Sequence, residues 1–339
     1  MIITNLRSSS INTFKSCPMA WFLEYNLGWD SGANKAAVKG TVVHKVLELL
    51  ALLKKADQDG KISIQTQTTP ARLHVKNYLT TNRLIDKLTG SIYNSYRDKY
   101  DLNWTAQDKK DCVNWVNKIL GGEFDPRHHN IIDAEYFFDI EIVESWSVYK
   151  YELPNENILK GFLHILGTID LIIKTKTGIE VIDWKTGQRK DWNKDTNEKK
   201  TIDDIRNDIQ PRMYHYVLSK KFPDQQIIVT MVYINDGGEF SVYFDKKDLS
   251  KTKKLIQHYF KTIQGAIPIC HKSWKCNKFC NFGKTGFDNT SVIPLFSNDK
   301  MFTKCEQMEY VLQHKTVNQA LTHMCNGSLE ENLNAYRQG

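Results

Sequence analysis

Two Ile- and Val-rich runs, Leu163 to Lys174 and Gly178 to Trp184, are joined by the turn Thr175-Lys176-Thr177-Gly178 and constrain this chain most. Strands linked so closely can pair only as an antiparallel hairpin. If those four residues form the loop, Lys174 pairs with Ile179, and the same register sets Asp170 opposite Asp183. Facing Cβ atoms in such a pair lie roughly 4.5–5.5 Å apart, and like charges there repel. A divalent cation between the two carboxylates relieves that repulsion, and hard cations such as Mg²⁺ take one or two carboxylates plus water and phosphate oxygens. Side chains alternate along a strand, so Lys185 shares the face of Asp183. Two acids and an amine on one face can hold a metal, orient a water and stabilise a phosphorane-like transition state. The plainer alternative is a solvated sheet edge, and a two-residue slip in register separates the acids, so further residues must decide.

Gly40-Thr41-Val42-Val43-His44 precedes apolar residues at helical spacing: Val43, Val46, Leu47, Leu50 and Leu53. The pattern predicts a helix over 41–54 with Thr41 as N-cap and His44 in the first turn. Asp208-Ile209-Gln210-Pro211-Arg212-Met213-Tyr214 opens a second helix, capped by Asp208 or a neighbour, with proline tolerated in its first turn. Gln210 and Tyr214 are four apart and share one face. Each of these residues taken alone reads as surface or packing.

In chain order, Gly-Thr-x-x-His (40–44), Gly-x-x-Asp (167–170), Asp-x-Lys-Thr-Gly (183–187) and Gln-x-x-x-Tyr (210–214) resemble the PD-(D/E)XK nuclease superfamily. The similarity is to its RecB-like group, which includes the AddB nuclease domain and the CRISPR-associated RecB-like exonucleases. The start Ser8-Ser9-Ser10 through Cys17-Pro18 also fits, and the resemblance covers roughly residues 8–283. It implies an α/β fold with a central mixed β-sheet flanked by helices, a restriction-endonuclease-like core with a helical insertion at about 55–125. The nuclease domain is then 1–287, and 288–339 is a C-terminal extension without an assigned role. The resemblance further implies that His44, Asp170, Asp183 and the backbone carbonyl of Trp184 bind Mn²⁺ or Mg²⁺. Lys185 would position the attacking water, and Gln210 and Tyr214 would support the site near the scissile phosphate. An imidazole beside two carboxylates shifts preference toward Mn²⁺.

Seven cysteines and the absence of a long apolar core in Met1-Ile2-Ile3-Thr4-Asn5-Leu6-Arg7 favour a reducing, cytoplasmic setting without a disulfide framework. Cys270, Cys276 and Cys280 cluster, and with Cys17 they resemble the four thiolates of iron–sulfur RecB-like nucleases. The spacing departs from that group's usual Cys-x-x-Cys form, while Cys305 and Cys325 lie in a different segment. A [4Fe–4S] cluster, a structural Zn²⁺ with His271 available, and no metal all stay open. Cys112 reads as an ordinary helix residue.

The remaining pattern predicts helix over 10–27 interrupted near Pro18, loop over 56–69, helices over 71–122, and strand over 131–150. Two strands span Val229 to Phe244, turning near Asp236-Gly237-Gly238, and Lys246 to Gln264 reads as helix. Glu306 to Cys325 is amphipathic, suited to the core or to a partner. No apolar run approaches a membrane span. The net charge of +7 permits nucleic-acid binding without requiring it. Gln188-Arg189-Lys190-Asp191-Trp192 follows the site. It reads as a solvated loop, or beside a nuclease site as Arg189 and Lys190 on phosphates with Trp192 stacking a base. Lys272, Lys275 and Lys278 beside Trp274 form a similar group.

The expectation is a metal-dependent DNA nuclease: a RecB-like exonuclease on single-stranded ends, in recombination, repair or phage DNA processing. Its rivals are a structure-selective endonuclease using the same residues and a non-catalytic DNA-binding recombination scaffold. DNA is the expected partner. With no helicase motif in the chain, unwinding would fall to a helicase or recombination partner protein.

Overall fold

The hairpin is present in the register that its turn imposes. Lys174 opposes Ile179 and Leu171 opposes Ile182. Thr175 N–H donates to the Gly178 carbonyl at 2.9 Å, and Gly178 N–H donates to Thr175 Oγ1 at 3.1 Å, which closes the turn. A Cβ on Gly178 would stand 2.2 Å from the Gln226 carbonyl oxygen, so the next strand over requires glycine there.

This computed structural model describes residues 1–66, 72–187, 192–193, 198–199, 201–235, 238–273, 276, 280, 282–283, 303–314, 316–323, 325, 327–329 and 332–333. The first strands are β1 (Asn5–Leu6), β2 (Ser63–Ile64), β3 (Leu73–His74), β4 (Asn130–Glu141), β5 (Val148–Glu152) and β6 (Ile158–Phe162). They are followed by β7 (His164–Lys174), β8 (Gly178–Lys185), β9 (Trp192–Asn193), β10 (Glu198–Lys199), β11 (Gln226–Tyr233) and β12 (Gly238–Phe244). The helices begin with α1 (Ser8–Ser16), α2 (Pro18–Trp21), α3 (Lys35–Gln58), α4 (Val75–Thr80), α5 (Asn82–Lys99) and α6 (Ala106–Ile119). Further on come α7 (Ile202–Asn207), α8 (Ile209–Lys221), α9 (Lys246–Gly265), α10 (Lys304–His314) and α11 (Val317–His323).

The main sheet runs β1-β7-β8-β11-β12, with β4 also pairing β7. It is mixed, as expected: β1 is parallel to β7, β7 antiparallel to β8, β8 parallel to β11, and β11 antiparallel to β12. A parallel β8–β11 pair needs a crossover, which the segment carrying α7 and α8 supplies. Asp208 caps α8, accepting from Gln210 N–H at 2.9 Å, and Pro211 sits in the first turn. The turn expected at Asp236-Gly237 lies outside the described residues.

The chain divides into two compact units, and β4 and β7 each run from one into the other. One unit comprises Ala33–Phe137 and Thr168–Thr252. Its core is built on α3: Val42, Val46, Leu50 and Leu53 pack with Ile85, Ile92, Cys112 and Val116 of α5 and α6, and with Ile182 and Trp184 of β8. The helix expected over 41–54 is longer. It begins at Lys35, where Asn34 accepts from Ala37 N–H at 2.9 Å, and it runs past Ala56 to Gln58. Thr41 is therefore not the cap, and its hydroxyl bonds back to the Ala37 carbonyl at 3.1 Å. Nothing between Lys35 and Thr41 breaks a helix strongly enough to override the Asn34 cap. The stretch 71–122 is not all helix: β3 pairs with β2 before α4 begins.

The other unit comprises Met1–Gly32, Phe138–Gly167 and Lys253–Gly339. Its core gathers Met19, Phe22, Leu23 and Leu27 with Leu153, Phe282, Met308, Val311 and Leu321, so the amphipathic faces of α10 and α11 are spent on packing. The strand expected over 131–150 is broken into β4, a short 3₁₀ turn at Ser145–Ser147, and β5. The Ser147 hydroxyl reaches back to the Ile142 and Glu144 carbonyls and holds that turn. No helix among the described residues is long and apolar enough to cross a membrane.

Candidate active site

All the site residues described next belong to the unit built on α3. On β8, Asp183 and Lys185 point to one face, as strand alternation requires, and Lys185 Nζ lies 2.6 Å from Asp183 Oδ2. The spacing of Gln210 and Tyr214 on α8 brings both onto Asp183. Gln210 Nε2 donates to Asp183 Oδ1 at 3.1 Å and to the Tyr214 hydroxyl at 2.8 Å. The Tyr214 hydroxyl lies 3.0 Å from Asp183 Oδ1 and 2.9 Å from the Thr168 carbonyl, while Gln210 Oε1 accepts from Lys185 Nζ at 3.1 Å. Burial and the carboxylates of Asp183 and Asp170 push the Tyr214 phenol well above its usual range, so it stays a neutral donor. Burial works against the Lys185 ammonium, yet Asp183 and Asp170 outweigh it and raise its pKa.

Asp170 lies across the hairpin. Its Oδ2 accepts from Trp184 N–H at 3.0 Å and lies 3.2 Å from His44 Nδ1. His44 is in the third turn of α3 rather than the first, since the helix starts at Lys35. Gly40, one turn earlier, leaves room for the residue that follows β8: a Cβ there would stand 2.7 Å from Thr186 Oγ1. His44, Glu48, Glu135 and Asp170 line an open cleft of about 380 Å³. Glu135 comes from β4, in a left-handed conformation with φ of 49°. Ligand atoms of His44, Glu135 and Asp170 lie within 4.8 Å of one another, and Asp183 stands outside that group. Burial, then Asp170 and Glu48, raise the Glu135 carboxyl to about 7.

These residues fit a divalent cation. Asp183 Oδ2 is fully buried, and among the described residues its polar neighbour is the Lys185 ammonium at 2.6 Å. Burial raises the Asp183 pKa, and the charge of Asp170 adds to that. Anionic groups converge here with less compensation than their burial requires, which is the condition a cation relieves.

His44 supplies a test of the metal-free state. Burial disfavours its imidazolium, but the charge and hydrogen bond of Asp170 overcome this and raise its pKa from 6.5 to about 9. The folded protein therefore keeps a proton that the unfolded chain releases. The pair's stabilisation, about 3 kcal/mol at most, is complete below pH 6.5 and lost as pH rises through about 9. In EDTA, urea midpoints should fall across that window and flatten in His44→Gln; an unchanged slope in the variant would mean that another group is responsible.

The structure thus brings together His44, Asp170, Asp183, Lys185, Gln210 and Tyr214, and places the Trp184 backbone against Asp170. Sequence reasoning missed Glu135. The available signal was weak: the buried residues Ile131, Ala134 and Phe138 of β4 are spaced three and four apart, a break in alternation that marks the irregular residue. Arg189 and Lys190 lie outside the described residues, as do Lys275, Lys278 and Trp274. Trp192 lies on β9, opposite Lys199 of β10.

Six of the seven cysteines lie in the other unit, where Cys305 stands beside Cys270 and Cys280 of the expected set. Cys276 is engaged locally, accepting from Ser273 N–H at 3.4 Å and lying 3.7 Å from the His271 carbonyl. Cys305, set aside on sequence, is hydrogen-bonded to Cys280, which with burial and the nearby Cys270 and Cys17 drives its thiol pKa far up. Burial, then Cys17, Glu309 and Cys276, raise Cys270 to about 12. Because Cys280 and Cys305 are 25 positions apart, spacing alone could not reveal the neighbour.

The sequence matches the family model described as the PD-(D/E)XK nuclease superfamily over residues 7–284. No curated protein matches it. Among solved structures, it is similar to a "Putative exonuclease" from Eubacterium rectale, with 11% identity and a TM-score of 0.41 over 77% of this chain and 80% of that one. It is also similar to a protein named SSO0001, with 14% identity and a TM-score of 0.25 over 69% of this chain and 91% of that one. At these TM-scores neither likeness bears on function.

Proposed function

The chain belongs to the PD-(D/E)XK nuclease superfamily, and from that premise we propose that it is a RecB-like DNA exonuclease acting on single-stranded ends. Membership supports a metal-dependent nuclease, which would bind DNA. The observation that carries catalysis is the Lys185 ammonium, 2.6 Å from Asp183, beside the Asp170–His44 pair at 3.2 Å. His44, Asp170, Asp183 and the Trp184 carbonyl would hold Mn²⁺ or Mg²⁺, which when bound polarises the phosphate and makes water a better nucleophile. Lys185 orients that water and balances charge developing on the phosphate. Gln210 and Tyr214 hold Asp183 and Lys185 in place, so neither can turn away when substrate enters. The exonuclease assignment rests on the resemblance carried by His44.

Arg189 and Lys190 would grip phosphates and Trp192 stack a base, as is usual for single-strand binding. A helicase or recombination partner would supply single strands. The nuclease domain would take in residues 1–287.

The decisive assay uses end-labelled single- and double-stranded oligonucleotides and a circular single strand, with Mn²⁺, with Mg²⁺ and with EDTA. Progressive loss from ends, an intact circle and inhibition by EDTA are expected. Asp183→Ala should still bind DNA and fail to cut it. A cleaved circle would assign an endonuclease, and binding without cleavage in the wild type would assign a scaffold.

A second reading concerns the thiols. Cys17, Cys270, Cys276 and Cys280 would hold a [4Fe–4S] cluster or Zn²⁺, with Cys305 beside Cys280 as a further donor. Iron, sulfide and zinc analysis of anaerobically purified protein distinguishes the two.

A further inference from the structure

None of the short motifs contains Glu135, yet β4 delivers it to the cleft beside His44 and Asp170. Three facts set it apart. Its carboxylate has no hydrogen bond or ion pair among the described residues, although the residue is half-buried. Lys45, a basic side chain lining the same cleft, is already paired with Glu48. One ligand atom from each of His44, Glu135 and Asp170 falls within 4.8 Å of the others, close to what a single ion with bonds of about 2.1 Å spans. Asp183 is held differently, with one oxygen taken by Gln210 and Tyr214 and the other facing Lys185.

We propose that Glu135 is a ligand of the divalent cation bound by His44 and Asp170, so that β4 contributes a donor the motif residues do not supply. This rests on the nuclease reading above and extends it. A half-buried acid beside Asp170 and near Glu48 repels both, and among the described residues no basic side chain forms an ion pair with it, His44 and Lys45 acting only at longer range. A cation shared with Asp170 turns that repulsion into ligation. An imidazole with two carboxylates suits Mn²⁺.

The test measures Mn²⁺ binding to metal-stripped full-length protein without DNA, by the electron paramagnetic resonance of free Mn²⁺. Glu135→Gln keeps the size of the side chain and should weaken binding at least tenfold. Glu135→Gly, which suits a positive φ, should weaken it as much while its melting temperature confirms the fold. Glu48→Gln, in the same cleft, should change affinity less than threefold. Equal losses in Glu48→Gln and Glu135→Gln would indicate a general field effect and overturn ligation. Wild-type affinity in both Glu135 variants, with binding lost in Asp170→Asn, overturns this inference alone. No Mn²⁺ uptake by wild-type protein that also fails to cleave DNA overturns the nuclease reading with it.

Discussion

Asp170→Asn is expected to slow DNA cleavage by about 10³-fold while leaving the protein folded. The substitution is nearly isosteric and keeps an oxygen for Trp184 N–H, which Asp170 now binds at 3.0 Å. What it removes is the charge that faces His44 at 3.2 Å and adjoins Glu135. Metal-based stabilisation of a phosphoryl transition state is worth several kcal/mol, and about 4 kcal/mol corresponds to about 10³ in rate. Single-turnover cleavage of end-labelled DNA at saturating enzyme measures the loss. A second signature accompanies it. Without the carboxylate His44 loses the partner that holds its pKa at about 9, so the alkaline decline of metal-free stability should vanish too. A variant cutting at the wild-type rate would remove Asp170 from the machinery.

The largest expected stability effect lies away from the cleft. Asp125 is fully buried and accepts from Gly121 N–H at 2.7 Å, Arg127 N–H at 3.0 Å, and Arg127 Nε and Nη2 at 3.0 and 2.6 Å. Arg127 Nη1 in turn donates to Asn82 Oδ1 at 2.9 Å, tying the loop after α6 to the start of α5. Burial disfavours the Asp125 carboxylate, but Arg127 and the two backbone N–H groups overcome this and hold its pKa down. This stabilisation is present above the ordinary carboxylate range and is lost as pH falls through the depressed value. Asp125→Ala leaves a buried guanidinium unpaired and should cost about 3–5 kcal/mol. The double variant Asp125→Leu/Arg127→Leu should recover much of that, because a buried pair replaced by apolar groups is often near neutral. Urea denaturation checks both; a single-variant loss under about 1 kcal/mol would mean that the pair behaves as a surface salt bridge.

Legibility followed the range of the interactions involved. The pairing of Lys174 with Ile179, the shared face of Asp183 and Lys185, and the shared face of Gln210 and Tyr214 were all readable. Each depends on a turn length or a fixed repeat of two or about 3.6 residues. The α8 cap at Asp208 was readable for the same reason. The start of α3 was missed because two capping residues, Asn34 and Thr41, precede the same apolar stripe, and the longer helix buries more of it.

By itself, the sequence determined the β7–β8 hairpin, the acids and amine on it, and the helical pair that supports them. Only the tertiary structure decided that β11 lies parallel beside β8, that Glu135 reaches the cleft, and that Cys305 joins Cys280. Those three depend on contacts between residues far apart in the chain, and no local periodicity encodes such meetings. They arise when the buried faces of separate elements pack, and in β4 they also need one residue to depart from regular strand geometry.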